Sequence, residues 1–489
     1  MKNRTPFFKA FGPLLFGRAG RKAVEELGRI DTLEQLYGLF GDLIPNKMLA
    51  PVKKGVGSRD RDLPARVTFW AFVAQVMSPG MPCREVVRKV EAWWRWTQKD
   101  RSGSLSASAY CQARARLDPE LLRLIAGQVS WTLDRNTLKS EHWLKGRSVK
   151  IVDGTTVSMP DTPENQGTWP QSSSQQPGLG FPIMKLTGIF ALGSGALLEH
   201  ATSSLHVHES QNFRQLWPRL NRGDIILGDR GFCSYGTLAT LSERGVDSVM
   251  RLHGGRKVDF RKGRMLGPDD RLVTWQKPGQ CPSTFSPEEF AALPDTLALR
   301  LIRLKVTSEG LRTRTVVVVT TLLDPDLYPA DAIRALYAQR WNVELHFHQI
   351  KTLMALDILR CKTPDLVEKE LAIHLIAYNL VRVLMQRAAH LHHQPLARIS
   401  FKGTLDTARH FADVIHAASV SPRKQQRLID EMLALIASDL LPLRPGRSEP
   451  RVKKRRPKNF QLLTKPRSQI GNLPHRNRPS KKYPKSPLS

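Results

Sequence analysis

Two short apolar runs, each ending on a carboxylate, constrain this chain more than any other feature. Val149-Lys150-Ile151-Val152-Asp153-Gly154-Thr155-Thr156 and Asp224-Ile225-Ile226-Leu227-Gly228-Asp229-Arg230-Gly231 are rich in β-branched and aliphatic residues and close on glycine-containing turns. Runs of this length and type read as buried strands. Between them lie strand candidates at residues 183–191 and 196–203, joined by the hairpin turn Gly193-Ser194-Gly195, and a short helix from Glu209 to Leu220. A helix at 235–245 and a strand at 247–252 follow. Strands interleaved with helices predict a mixed sheet with helices on its faces. In such a sheet Asp153 and Asp229 meet if their strands are neighbours.

A third carboxylate comes from the stretch between Tyr337 and Lys351, which reads as a helix. At about 100° per residue, Tyr337, Arg340, Glu344 and Lys351 share an arc of roughly 60°. Leu336, Val343, Phe347, Ile350 and Met354 form an apolar band beside them. Taken alone, this is an ordinary amphipathic helix with an Arg340/Glu344 surface pair worth a few tenths of a kcal/mol. Each acid taken alone has an equally ordinary explanation as a turn cap or salt-bridge partner. Together, three carboxylates without Cys or His ligands suit hard divalent ions, Mg²⁺ or Mn²⁺. Two such ions about 4 Å apart serve phosphodiester chemistry.

Charge supplies the partner. The chain has 75 Lys and Arg against 44 Asp and Glu, a formal charge of +31, and a surface of that sign attracts polyphosphate. Nucleic acid comes first and anionic membrane second. Residues 444–489 carry 15 Lys and Arg and the single acid Glu449, so 15 − 1 = 14 of the +31 lies in this proline-containing tail. Such a composition predicts an extended segment that tethers the chain to DNA backbone or, less specifically, solubilises it. The longest apolar stretch, residues 186–198, is broken by three glycines and is too short to span a bilayer. The N-terminus has no continuous apolar region with a cleavage site, which predicts a cytoplasmic protein. Five cysteines stand far apart without ligand spacing, so neither a disulfide framework nor a zinc site is expected.

Residues 1–140 carry helical signals: a start at Asp31, helices over 64–77 and 82–96, and a further one beginning at Ser106. The last presents Gln112, Arg114 and Arg116, so Arg114 and Arg116 are candidate DNA contacts, though many solvated helix faces look the same. Residues 253–322 lack helical periodicity and contain strand-like pieces, including a strong one over 314–322. Residues 366–393 and 422–438 return to helix. The expected domains are a helical DNA-binding domain (1–140), a catalytic core (148–252 with 323–365), a β-rich insertion (253–322), a helical C-terminal region (366–441) and a basic tail (442–489).

These residues resemble the DDE transposases of bacterial insertion sequences, in the family-four group marked by a tyrosine, arginine, glutamate and lysine signature. Tyr337, Arg340, Glu344 and Lys351 match every gap of that signature, Asp153-Gly154-Thr155 resembles its first acidic motif, and Asp229-Arg230-Gly231 its second. Tyr378-Asn379-Leu380 and the basic tail extend the likeness over nearly the whole chain. The resemblance implies a ribonuclease-H-like α/β core and cut-and-paste transposition by a Mg²⁺-dependent triad of Asp153, Asp229 and Glu344. It also implies that Arg340, Lys351 and Tyr337 engage the DNA of the terminal inverted repeats, with a homodimer in the synaptic complex and a nucleoid-associated location. In some members an aromatic of the insertion stacks on a base during hairpin formation. Trp275 is the tryptophan of this insertion, and a core position suits it better. A ribonuclease-H-like nuclease without strand transfer and a transposase-derived DNA-binding regulator remain the alternatives.

Overall fold

The structure, a computed structural model, describes residues 39–49, 63–97, 105–256, 258–308, 311–417 and 421–443. The expected helix start at Asp31 and the basic tail from Arg444 onward lie outside them. Nine strands form one sheet. They are β1 (Val149–Ser158), β2 (Ile183–Ala191), β3 (Leu197–Ser204), β4 (Ile225–Gly228), β5 (Asp247–Arg251), β6 (Arg264–Gly267), β7 (Asp270–Gln276), β8 (Thr296–Ser308) and β9 (Leu311–Thr320). Their spatial order is β3-β2-β1-β4-β5-β9-β8-β7-β6. β1 runs parallel to β4 and β4 parallel to β5, whereas β2 and β9 lie antiparallel to their inner neighbours. The β-rich segment 253–322 therefore continues the sheet through β9.

Alternation along β1 assigns its side chains to two cores. Ile151 faces one cluster and Val152 the other. The Val152 face is covered by α6 (Glu209–Leu216) and α7 (Tyr235–Glu243), around Phe213, Trp217, Phe232 and Phe285. Trp275, only 8% exposed, belongs to this core, with the Arg256 guanidinium 3.8 Å from its ring centroid.

The Ile151 face carries the helices of both ends of the chain. α1 (Ala65–Met77), α2 (Cys83–Thr97), α3 (Ala107–Ala115) and α4 (Pro119–Arg135) share it with α9 (Ala330–Ala338), α10 (Asn342–His348), α11 (Pro364–Leu391), α12 (Phe401–Ala417) and α13 (Pro422–Ser438). The two further short helices are α5 (Pro163–Thr168) and α8 (Pro287–Ala292). α11 is buried along most of its 28 residues, and three of its polar side chains bond the β2–β3 hairpin. Asn379 accepts from the Leu197 amide and donates to the Leu197 carbonyl, both at 2.9 Å. Tyr378 donates to the Gly195 carbonyl at 2.8 Å, and Arg382 donates to the Ser194 carbonyl. Gly195 has φ +69°, and a Cβ there would fall 2.4 Å from the Arg382 guanidinium. Glycine is thus required twice over at this hairpin. Among the described residues no helix is long and apolar enough to cross a membrane.

Candidate active site

Asp153 and Asp229 reach the same edge of the sheet by strand register. Ile151 pairs with Leu227 in the parallel β1–β4 ladder, and each aspartate follows two residues later. Asp229 follows the last residue of β4, but Asp153 does not end its strand as expected: β1 runs on to Ser158 because its pairing with β2 continues past the end of the β4 ladder. Asp153 Oδ1 accepts from the Gly154 amide at 2.8 Å, and Asp229 Oδ1 from the Gly231 amide at 2.7 Å, which fixes one oxygen of each carboxylate.

The segment bearing the third acid is not the continuous helix expected from its periodicity. α9 stops at Ala338, a 3₁₀ turn takes Gln339–Trp341, α10 follows, and a π turn covers Gln349–Leu353. A 3₁₀ turn advances about 120° per residue rather than 100°, and a π turn advances less, so the segment is not one regular helix. Tyr337 is buried against the apolar core, and burial pushes its hydroxyl up to about 12. Arg340 is 12% exposed and turns inward, whereas Glu344 is 48% exposed. Lys351, in the π turn, donates to Thr155 Oγ1 at 3.0 Å, tying the signature lysine to the residue that closes the Asp-Gly-Thr motif. Burial lowers the Lys351 ammonium below its usual range, and Asp357 opposes that shift.

Arg340 joins the acids. Its Nη1 lies 3.6 Å from Asp153 Oδ2 and its Nη2 3.5 Å from Glu344 Oε1. Burial pushes the Asp153 carboxyl up to about 6, against the Gly154 amide and Arg340, which favour the anion; Asp229 and Glu209 add to the rise. Among the described residues no three His, Cys, Asp or Glu side chains stand close enough to hold a metal ion between them. The donor set nonetheless fits a hard divalent cation in kind: oxygens alone, with the Arg340 charge already standing between the first and third acids.

Glu209, at the first turn of α6, is a fourth acid at this edge that periodicity and motif spacing did not single out. A Cβ at Gly154 would meet its Oε1 at 2.9 Å, and one at Gly231 would lie 4.0 Å from its Oε2. A glutamate opening the helix after the third strand was the available signal.

The expectation for the helix beginning at Ser106 is corrected for Arg114. That side chain is 6% exposed, its guanidinium lies 4.8 Å from the Phe72 ring centroid and 5.1 Å from that of Tyr110, and Nη2 donates to Cys111 Sγ at 3.4 Å. An arginine enclosed by two rings is packing material and does not reach a phosphate. Arg116 is half-buried at the C-cap of the same helix.

Residues 144–380 match the transposase DDE domain, and residues 38–125 match the insertion element 4 transposase N-terminal family. The transposase InsG for insertion sequence element IS4 of Escherichia coli (strain K12) is 27% identical over 91% of this chain and 98% of its own length. The putative transposase InsZ of the same organism is 28% identical over 38% of this chain and 60% of its own length. A piggyBac transposase chain, solved by cryo-EM in a synaptic complex with hairpin DNA, overlaps 87% of this chain and 86% of its own at 11% identity and a TM-score of 0.41, a likeness that carries no argument.

Proposed function

This chain belongs to the DDE transposases of the insertion element 4 type, and on that premise we propose that Asp153, Asp229 and Glu344 are the triad through which it cuts and rejoins DNA at the terminal inverted repeats of its element. The observation that carries the proposal is Arg340, whose guanidinium spans Asp153 and Glu344 at 3.6 and 3.5 Å. The parallel pairing of β1 and β4 supports placing Asp229 beside them. We read residues 148–252 with 323–365 as a ribonuclease-H-like core, and residues 253–322 as its insertion.

DDE transposases generally use divalent metal ions. Bound by Asp153, Asp229 and Glu344, Mg²⁺ or Mn²⁺ would supply polarisation of a water or 3′-hydroxyl and would stabilise charge on the leaving oxygen. The three carboxylates hold and orient that charge. Arg340 and Lys351 offer positive charge to the phosphates beside it, with Lys351 steadied by Thr155. The Tyr337 hydroxyl, buried next to Arg340, keeps that guanidinium in place beside the DNA phosphates. Transposon ends and target DNA are the substrates, two copies of the chain assemble on paired ends, and the work is done in the cytoplasm at the nucleoid.

The test is a product assay on DNA carrying the flanking inverted repeats, with protein and Mg²⁺. Cleaved ends that become joined to target DNA are expected. Hydrolysis without joined product would make the chain a nuclease, and binding without cleavage would make it a regulator.

A further inference from the structure

We propose that a cavity between the N-terminal helices and the segment after the signature lysine binds a small aliphatic carboxylate, with Arg114 receiving the anion. The cavity has a volume of about 460 Å³ and is lined from α1, the start of α2, α3, residues 354–362 and the first half of α11. Phe72, Val76, Met81, Met354, Ile358 and Leu366 make its walls largely apolar. Such a size and lining suit a small molecule. One wall is fastened to β1: the Ser158 amide donates to the Asp357 carbonyl at 3.0 Å, and the Leu359 amide to the Ser158 carbonyl at 2.8 Å. Asp153, Asp229 and Glu344 do not line the cavity, so the proposal is independent of the triad.

Arg114 is what such a cavity does not ordinarily contain. It is 6% exposed and always charged, yet among the described residues it forms no ion pair. Its Nη2 donates only to the Cys111 thiol, and its Nε is buried without a hydrogen-bond partner. Phe72 and Tyr110 offer it ring faces but no negative charge. A cation enclosed in this way is costly unless an anion meets it. Glu370, the acid of the lining, is engaged elsewhere: its Oε2 accepts from the Arg360 and Cys361 amides, both at 2.9 Å. Arg360 and Lys362, exposed and lining the same cavity, bring its cations to three against that one acid. A carboxylate on an aliphatic body satisfies the buried donor and the apolar walls together, whereas an amine of the same shape satisfies only the walls.

The test titrates the full chain, without DNA, with octanoate and with octylamine by calorimetry. In parallel, maleimide labelling with peptide mapping follows Cys83 and Cys111, which line the cavity, against Cys281, which does not. Octanoate is expected to bind and to slow labelling of Cys83 and Cys111 but not of Cys281, and octylamine is expected not to bind. Arg114→Met keeps an apolar stem between the rings and removes the charge; it is expected to weaken octanoate binding by about tenfold or more. Met81→Trp, which fills the cavity without altering charge, serves if the methionine variant fails to fold, and is expected to abolish the protection of both thiols. Failure of octanoate to bind, equal binding of octylamine, unprotected Cys83 and Cys111, or wild-type octanoate affinity in a folded Arg114→Met would each overturn the site. None of these readouts involves DNA cleavage, so the triad reading stands or falls separately.

Discussion

The Arg340 guanidinium lies 3.6 Å from the Asp153 carboxylate, and the same side chain lies 3.5 Å from Glu344. A protein cation thus stands between the first and last acids of the triad in the DNA-free chain. It holds the edge of the α9–α10 segment to β1, and under the proposed triad it would compete with a metal for the same oxygens. A phosphate arriving with the DNA offers Arg340 a new partner and frees the acids, which couples metal binding to substrate binding.

Arg340→Ala separates these two roles. Mn²⁺ binding to the DNA-free protein is expected to tighten several-fold, because a competitor is removed. DNA cleavage is expected to fall about 100-fold, because a positive charge beside the reacting phosphate is lost, a deficit of about 3 kcal/mol. Loss of both would contradict the competition.

His346 provides a test in pH. It is buried against Phe190, with ring centroids 5.3 Å apart, and its Nδ1 lies 3.0 Å from the Tyr378 hydroxyl. Tyr378 gives its one proton to Gly195, so the imidazole nitrogen is the donor to the phenol oxygen. Burial, with Arg382 nearby, lowers the imidazole to about 3. The unfolded chain takes up this proton near pH 6.5 and the folded chain does not, so stability is complete above that pH. Below it, His346 is expected to cost about 1.4 kcal/mol per pH unit down to about 3. Denaturant melts of His346→Phe across that window should show a shallower acid limb than wild type, and an unchanged slope would exclude His346 as the cause.

Deletion of residues 444–489 removes 15 Lys and Arg and one acid, so 15 − 1 = 14 of the formal net charge of +31 is lost. DNA affinity is expected to drop for every sequence alike, and the slope of log K against log salt to flatten, because fewer counterions are released. Binding titrations at several salt concentrations read both quantities. Identical slopes would leave the tail without a DNA role.

The sheet was legible because its central strands are short aliphatic runs bounded by clear turns. Ile183–Ala191 was read with its observed bounds, and Gly193-Ser194-Gly195 was placed at the hairpin. α12 was missed, since two of its buried positions are Ala408 and Ala412 and Gly403 stands in its first turn, which weakens both the apolar period and the helix propensity. The break of the signature helix was hidden for a different reason: 3₁₀ and π turns depend on tertiary contacts such as Lys351 to Thr155, which no local pattern contains. Arg114 was misread because a basic residue on a helix has the same sequence signal whether it meets solvent or, as here, the rings of Phe72 and Tyr110. Glu209 was seen only as the start of a short helix, because its approach to Gly154 is made through the fold and not along the chain.

The central claim, that Asp153, Asp229 and Glu344 act together in DNA cleavage, is tested most directly by Glu344→Gln on the element's own inverted-repeat ends with Mg²⁺. Glu344 is 48% exposed, so the amide is expected to leave fold and DNA binding intact. Cleavage and joined product are expected to disappear while the shifted protein–DNA complex persists. Cleavage at the wild-type rate by a correctly folded Glu344→Gln would contradict the assignment.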